Sequence, residues 1–168
     1  MKNFMRKLYK KIISIFFTLI AKLSCGKFNA SIHVYGYSRF TKNTTFGKNV
    51  NFNGFKVYGS GHVHFGSNFH SGTNCRIINQ VHNYEGNKIP YDETYIIKKV
   101  FIDDNVWIGN DVLILGGVTI NEGAIIQAGS VVVNDIPELG IAGGHPAKVF
   151  KYRNKDHYYK LKSLKHFK

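Results

Sequence analysis

The stretch Ile102-Asp-Asp-Asn-Val-Trp, Ile108-Gly-Asn-Asp-Val-Leu, Ile114-Leu-Gly-Gly-Val-Thr, Ile120-Asn-Glu-Gly-Ala-Ile, Ile126-Gln-Ala-Gly-Ser-Val, Val132-Val-Asn-Asp-Ile-Pro decides the fold. Cut in sixes from Ile102, its first position is always Ile or Val, and its fifth is Val, Val, Val, Ala, Ser and Ile. Neither the helical period of about 3.6 nor the strand period of about 2 gives that spacing. A period of six means one short strand and one corner per repeat, with the aliphatic residue pointing inward. Three such sides close a coil of about 18 residues. Asn, Asp and Gly fill positions two to four, where corners need tolerant backbone angles. The chain reads as all-β, a parallel β-helix of hexapeptide repeats.

Weaker copies lie upstream, at Phe46-Gly-Lys-Asn-Val-Asn and Phe65-Gly-Ser-Asn-Phe-His. Phe replaces the aliphatic residue there, so those coils are expected to be wider or less regular. At about 18 residues a coil, residues 28–145 are expected to hold about six coils, allowing for one interruption. That interruption is the polar segment 79–100, which contains Gly86 and Pro90. A long loop inside a tight repeat is usually functional, reaching a neighbouring subunit or covering a cleft.

The 168 residues carry 23 Lys+Arg against 10 Asp+Glu. The excess sits at the ends. Residues 1–27 hold seven Lys/Arg and no acid, and residues 148–168 hold eight with only Asp156. The body between them is close to neutral, so the basic balance does not make a nucleic-acid domain, and no such motif is present. Three units follow: a basic amphipathic helix over 1–27, the β-helix over 28–147, and a basic tail over 148–168. Two cysteines, Cys25 and Cys75, make no disulfide framework and fit a reducing, cytoplasmic compartment.

The apolar run Ile12–Ala21 is too short to span a bilayer, which takes about 20 residues. Phe4, Leu8, Ile12, Ile15, Phe16, Leu19 and Leu23 form one stripe, and Lys7, Lys11, Ser14, Thr18 and Lys22 another. This fits a helix packed over the end of the coil or one lying on the inner face of a membrane. In the C-terminal tail, Tyr, Leu and Phe mix with lysines at roughly helical spacing. The tail could pack on the coils, meet acidic lipid or attract an anionic glycan.

From about Asn79 to Arg153 the chain resembles the left-handed β-helix acyltransferases. The branch is that of galactoside, maltose and nodulation-factor O-acetyltransferases and of capsule or lipopolysaccharide acetyltransferases. The residues carrying the resemblance are His82 before the loop, Asp104-Asn-Val-Trp-Ile-Gly109, Leu115-Gly-Gly-Val-Thr-Ile120, Gln127-Ala-Gly-Ser-Val131 and Gly143-Gly-His-Pro-Ala-Lys148. The resemblance implies a left-handed coil, a homotrimer, and acetyl-CoA as co-substrate in the cleft between subunits, with a carbohydrate acceptor.

Acetyl transfer from a thioester needs a base for the acceptor hydroxyl, a donor for the oxyanion and placement of two substrates. His82 is the expected base. Imidazole is the side-chain type that exchanges protons near neutrality, and the family places its catalytic histidine at this position. Trp107, at the outward sixth position, lines the acceptor or thioester pocket or packs between subunits. Asn51 stands where sugar-specific relatives contact substrate, although a corner asparagine is the alternative reading. Tyr84, with Tyr91 and Tyr95, offers faces for sugar rings or holds the loop down. The resemblance assigns CoA contacts to Asn110, Ala128, Val133 and Asn134, and phosphate contacts to Lys148 and Lys151.

Other readings stay open. The acceptor could be a nucleotide-amino sugar, acetylated on nitrogen, or an antibiotic, or the chain could be a repeat scaffold with no activity. Cys75 reads as a coil residue and not as a nucleophile. His62, His64 and His70 raise a zinc site, since the fold hosts a zinc carbonic anhydrase. The required histidine spacing is absent, so no metal is expected and a solvated strand face is the preferred reading.

Overall fold

A computed structural model describes residues 2–25 and 31–168, with side chains for all of these except residues 2, 3, 6 and 7. The expected boundary between residues 27 and 28, and Lys27 itself, lie outside the described residues, as do the side chains of Lys2, Arg6 and Lys7.

The chain begins with helix α1 (Lys2–Ser24) and then winds into stacked coils. Strands β1 (Ile32–Gly36) and β2 (Thr44–Phe46) belong to the first coil, and β3 (Val50–Tyr58) and β4 (Val63–Phe65) to the second. Strand β5 (His70–Ile78) opens the third coil. A hairpin of β6 (Gln80–His82) and β7 (Tyr95–Ile97) leaves it, and β8 (Val100–Ile102) closes it. The fourth coil holds β9 (Trp107–Ile108), β10 (Leu113–Leu115) and β11 (Thr119–Ile120). The fifth holds β12 (Ile125–Ile126) and β13 (Val131–Val132). Strand β14 (Gly140–Gly144) starts a further turn, β15 (Ala147–Tyr152) doubles back on it, and α2 (Lys155–Ser163) follows.

Parallel pairing stacks these strands into three faces. Face one runs β1-β3-β5-β9-β12-β14, so that Asn51, His70, Trp107, Ile125 and Ile141 fall in one outward ladder. Face two joins the far halves of β3 and β5 to β10 and β13. Face three runs β2-β4-β8-β11. The result is the expected β-solenoid of hexapeptide repeats with an N-terminal helix and a short basic C-terminal segment.

Inward residues come in pairs two apart, repeated every six. Val106/Ile108, Val112/Ile114, Val118/Ile120 and Ala124/Ile126 are all fully or almost fully buried. The same rhythm starts at Ile32/Val34 and continues through Ser38/Phe40, Thr44/Phe46 and Val50/Phe52, all of them buried. The repeat therefore begins well before its recognisable copies. Phe fills the large inward position at Phe40, Phe46 and Phe52, and Ser38 and Thr44 take the small one in two of these pairs. Those hydroxyls are tolerated inside because they bond the corners: Ser38 Oγ donates to Gly36 O at 3.0 Å and accepts from Phe55 N at 2.9 Å. The phenylalanine coils are less regular, as expected, with register shifts between Val34 and Gly36 and between Asn51 and Asn53.

Corners carry the left-handed residues. Asn49, Asn68 and Asn105 have φ of 55°, 56° and 61°, angles that asparagine tolerates better than most residues. Their amides form a ladder, with Asn49 Nδ2 donating to Asn68 Oδ1 at 3.0 Å and Asn68 Nδ2 to Asn105 Oδ1 at 2.9 Å. Asn105 Nδ2 then donates to Glu122 Oε1 at 3.1 Å.

The two ends differ. Helix α1 lies against the open edge of the first coil. Thr18 Oγ1 accepts from Val34 N at 3.2 Å, Ser24 Oγ accepts from Phe40 N at 3.1 Å, and Ala21 is fully buried. The side that packs is a mixed one, Phe17 and Ala21 beside Ser14, Thr18 and Ser24, while Lys11 and Lys22 of the polar stripe stay exposed and the apolar stripe faces outward. Helix α2 folds back on the later coils. Asn154 caps it by accepting from His157 N at 2.8 Å, and its buried Tyr158 donates to Glu122 Oε1 at 2.9 Å. Of the three fates open to the tail, the structure shows packing on the coils.

Candidate active site

The hairpin leaves the coil at Asn79. This buried residue receives a backbone bond from Lys98 N at 2.9 Å, and its Nδ2 donates to Gly61 O at 2.8 Å. Outgoing and returning chain are therefore pinned at one rung. Beyond it His82 pairs with Tyr95 across the hairpin. Asp92 braces the turn by accepting from Thr94 N at 2.8 Å and Asn87 N at 3.1 Å. The Thr94 hydroxyl, then the two backbone donors, hold its carboxyl below the usual carboxylate range.

His82 is exposed, and its ring stacks on Tyr91 at 3.9 Å and 16°, with Tyr95 tilted against it at 4.9 Å. Within the described residues neither ring nitrogen has a hydrogen-bond partner. Two tyrosines thus orient the imidazole and leave its nitrogens open. Tyr91 and Tyr95 hold the ring while themselves exposed, and Tyr84 is exposed too.

A groove of about 580 Å³ lies between face one and α2, lined by Asn51, His70, Asn105, Trp107, Tyr158 and Lys162 among others. Asn51 is a strand residue on face one, which corrects the corner reading; the corner residue is Asn49. Its Nδ2 donates to Asn49 O at 3.2 Å, so the amide is turned along the ladder. Trp107 faces outward and is half-exposed, as its repeat position requires. Between them His70 is lowered from its ordinary value by burial and then by the Lys168 charge.

A second groove, about 960 Å³, continues past Asn51 and His70 towards Tyr35 and α1. His82 lines neither groove. Within one chain the candidate base stands beyond face two, while Trp107 and Asn51 stand on face one.

The residues assigned to CoA fall on the corners. Asn110 and Ala128 sit in successive coils on the corner between faces one and two. Asn110 Oδ1 accepts from Thr73 N at 2.9 Å, and Asn110 O accepts from Gly129 N at 2.8 Å. The backbones here approach closely, since a Cβ on Gly109 would come within 2.6 Å of Ala128 N. Lys148 pairs with Gly143 at the same corner, and Lys151 pairs with Ile141 on β14. Both lysines are exposed, as are Val133 and Asn134 on the next corner.

The α2 wall of the groove was not foreseen from sequence. Glu122 Oε1 takes bonds from Lys162 at 2.5 Å and Tyr158 at 2.9 Å. Burial pushes its carboxyl up, but these donors outweigh that and hold it below its ordinary value. Arg153 covers the Tyr158 ring at 4.7 Å and donates to Gly123 O at 3.2 Å. The available signal was Asn154 standing as a cap before Lys155-Asp156-His157.

Cys75 is buried, and burial raises its thiol to about 11, which makes it an inert coil residue. His62 and His64 share Thr45 Oγ1 as a partner, at 3.3 and 2.9 Å, on face three. Among the described residues no group of three His, Cys, Asp or Glu could hold a metal.

Residues 99–134 match the bacterial transferase hexapeptide family (six repeats). A galactoside O-acetyltransferase from Lactococcus lactis is 29% identical over 111 residues, covering 55% of this chain and 54% of the relative. The chain thus aligns with about half the length of that curated relative. Among solved structures, a maltose O-acetyltransferase from Clostridium difficile superposes with a TM-score of 0.69 at 25% identity, covering 88% of this chain and 86% of its own. A galactoside acetyltransferase in complex with coenzyme A gives 0.65 at 25% identity, covering 84% and 71%. By its repeat, its coils and these relatives, the chain is a hexapeptide-repeat protein resembling the left-handed β-helix acyltransferases, galactoside and maltose O-acetyltransferases among them.

Proposed function

We propose that the chain is an acetyl-CoA-dependent O-acetyltransferase acting on a sugar hydroxyl of a bacterial surface polysaccharide, capsule or lipopolysaccharide unit. The observation that carries this reading is His82, stacked between tyrosines on an extruded hairpin with its ring nitrogens open. Its relatives' acetyltransferase names and the coenzyme A in one of them supply the chemistry. In a homotrimer the hairpin of one subunit meets face one of the next, joining the base to Trp107 and Asn51.

The thioester is already activated, so no covalent enzyme intermediate is needed. A His82 nitrogen accepts the proton of the acceptor hydroxyl as its oxygen attacks the acetyl carbonyl. The tetrahedral oxyanion then collapses and the C–S bond breaks. The CoA sulfur leaves and takes the proton back from the imidazolium. Trp107, Asn51 and Tyr84 border the acceptor. Asn110, Ala128, Val133 and Asn134 line the CoA arm, and Lys148 and Lys151 attract its phosphates as point charges. Acetyl-CoA is made inside the cell, which supports a cytoplasmic reaction.

The test is thiol release from acetyl-CoA across neutral and acidic mono- and oligosaccharides. His82→Ala is expected to lower turnover by about 100-fold or more, while the melting temperature and its rise on adding CoA persist. Wild-type turnover in that variant overturns the assignment of the base. No CoA-dependent shift in the native protein overturns the enzyme reading in favour of a scaffold.

A further inference from the structure

Helix α1 presents an apolar face that nothing among the described residues covers. Phe4, Leu8, Ile12, Ile15, Phe16, Leu19 and Leu23 are all exposed, Phe4 by 70% and Leu23 by 90%, and Met5 and Tyr9 widen the face. The helix cannot roll to bury them at no cost. Its opposite side is committed to the coil through the Thr18 and Ser24 bonds to Val34 N and Phe40 N, with Ala21 buried between them. Those bonds satisfy edge donors of the first coil, and rolling the helix would orphan them.

We propose that this face docks on an anionic phospholipid bilayer, with the helix lying in the interface. Three observations choose that occupant. Residues 1–27 carry seven Lys/Arg and no acid, which matches the negative surface of such a membrane. A two-fold copy, helix against helix, would set the same all-basic segment against itself, with no carboxylate in either helix to relieve the repulsion; a copy docked head to tail is separated by the light-scattering arm below. And no described helix is long and apolar enough to cross a membrane, so the geometry is that of a helix lying on the surface, about 35 Å long. Phe4, Tyr9 and Phe16 suit the boundary between headgroup and acyl chain. Lys11 and Lys22 border the stripe, within reach of phosphate. This inference does not rest on the acetyltransferase reading.

The experiment is flotation of the full chain with phosphatidylcholine vesicles, with and without phosphatidylglycerol, across a salt series. The native protein is expected to float with the anionic vesicles only, and less at high salt. The double variant Ile12→Glu/Leu19→Glu should lose roughly tenfold or more of its partitioning. Lys10→Gln/Lys11→Gln should bind more weakly and with a flatter salt dependence. Both variants change exposed side chains, so an unchanged melting temperature shows that the fold is intact. The proposal fails if the native protein ignores anionic vesicles or if the glutamate variant floats as the native one does. It also fails if light scattering shows a native mass that the glutamate variant reduces while vesicles capture neither protein, since the face then joins copies of the chain.

Discussion

The fourth and fifth coils and the first and second coils share one ladder of backbone bonds, yet they fill their interiors differently. From Val106 onward the core is mostly a column of Ile and Val with Ala124, Ser130 and Ala142 at small positions, and Ile108 stacks on Ile126 and Ile114 on Val132 in successive rungs. Before Ile77 the core is a cluster of rings. Phe52 touches Phe40, Phe55, Phe65 and Phe69 with centroids 4.8–5.7 Å apart, mostly edge to face. The same solenoid therefore tolerates two packings. What it requires is enough inward volume at one position of each pair and a small or hydroxyl residue at the other. β-branched residues are one solution; they fit the pleated surface at each rung. Rings are another, but a ring reaches across the coil and ties several rungs together.

That difference can be broken by mutation. Phe52→Ala is expected to cost about 3–5 kcal/mol, and Ile114→Val about 0.5–1.5 kcal/mol, read as shifts in denaturant midpoint. A Phe52→Ala loss no larger than the Ile114→Val loss would mean that the rings do not act as a shared core. Ser38→Ala tests the small position. It strands the Phe55 N–H inside the coil, for about 1–3 kcal/mol, and an unchanged midpoint would show that the hydroxyl is dispensable there. The smallest effect concerns the helix docked on the aliphatic half. The folded Glu122 carboxyl lies below its ordinary value, so its contribution is complete above about pH 4.5 and is lost as pH falls below that. The single tryptophan, Trp107, lines the groove that α2 walls. Its fluorescence should change on acidification in the native protein and much less in Glu122→Gln.

The same contrast explains what could be read from the sequence. Six aliphatic repeats in register announced the later coils, because one residue class filled one position each time. The earlier coils keep the rhythm at Ser38/Phe40 and Thr44/Phe46, but Phe and a hydroxyl residue hide it from any search for Ile and Val. His82 was singled out because it stands where the repeat stops and where the resemblance places a histidine, and its role as base belongs to the proposal. Its stacking on Tyr91 was not legible, since that contact depends on how the hairpin folds. The apolar stripe of α1 was visible, yet the side that packs lies across from it, where Thr18 and Ser24 meet Val34 N and Phe40 N, edge donors that hydroxyls satisfy and hydrocarbon does not, with Phe17 and Ala21 beside them. The groove wall at Tyr158 depends on a carboxylate, Glu122, lying far off along the chain.

The pinned neck of the hairpin has a consequence for how such a protein can change over generations. Lys98 returns to Asn79 at the rung it left, and the coil resumes with Phe101 beside His64. A longer or shorter excursion between those points displaces no rung, and its entropic cost rises only with the logarithm of its length. The segment behaves as an exchangeable cartridge. A lineage can trade its tip, and with it the surface the tip exposes, while the coils that carry it stay as they were.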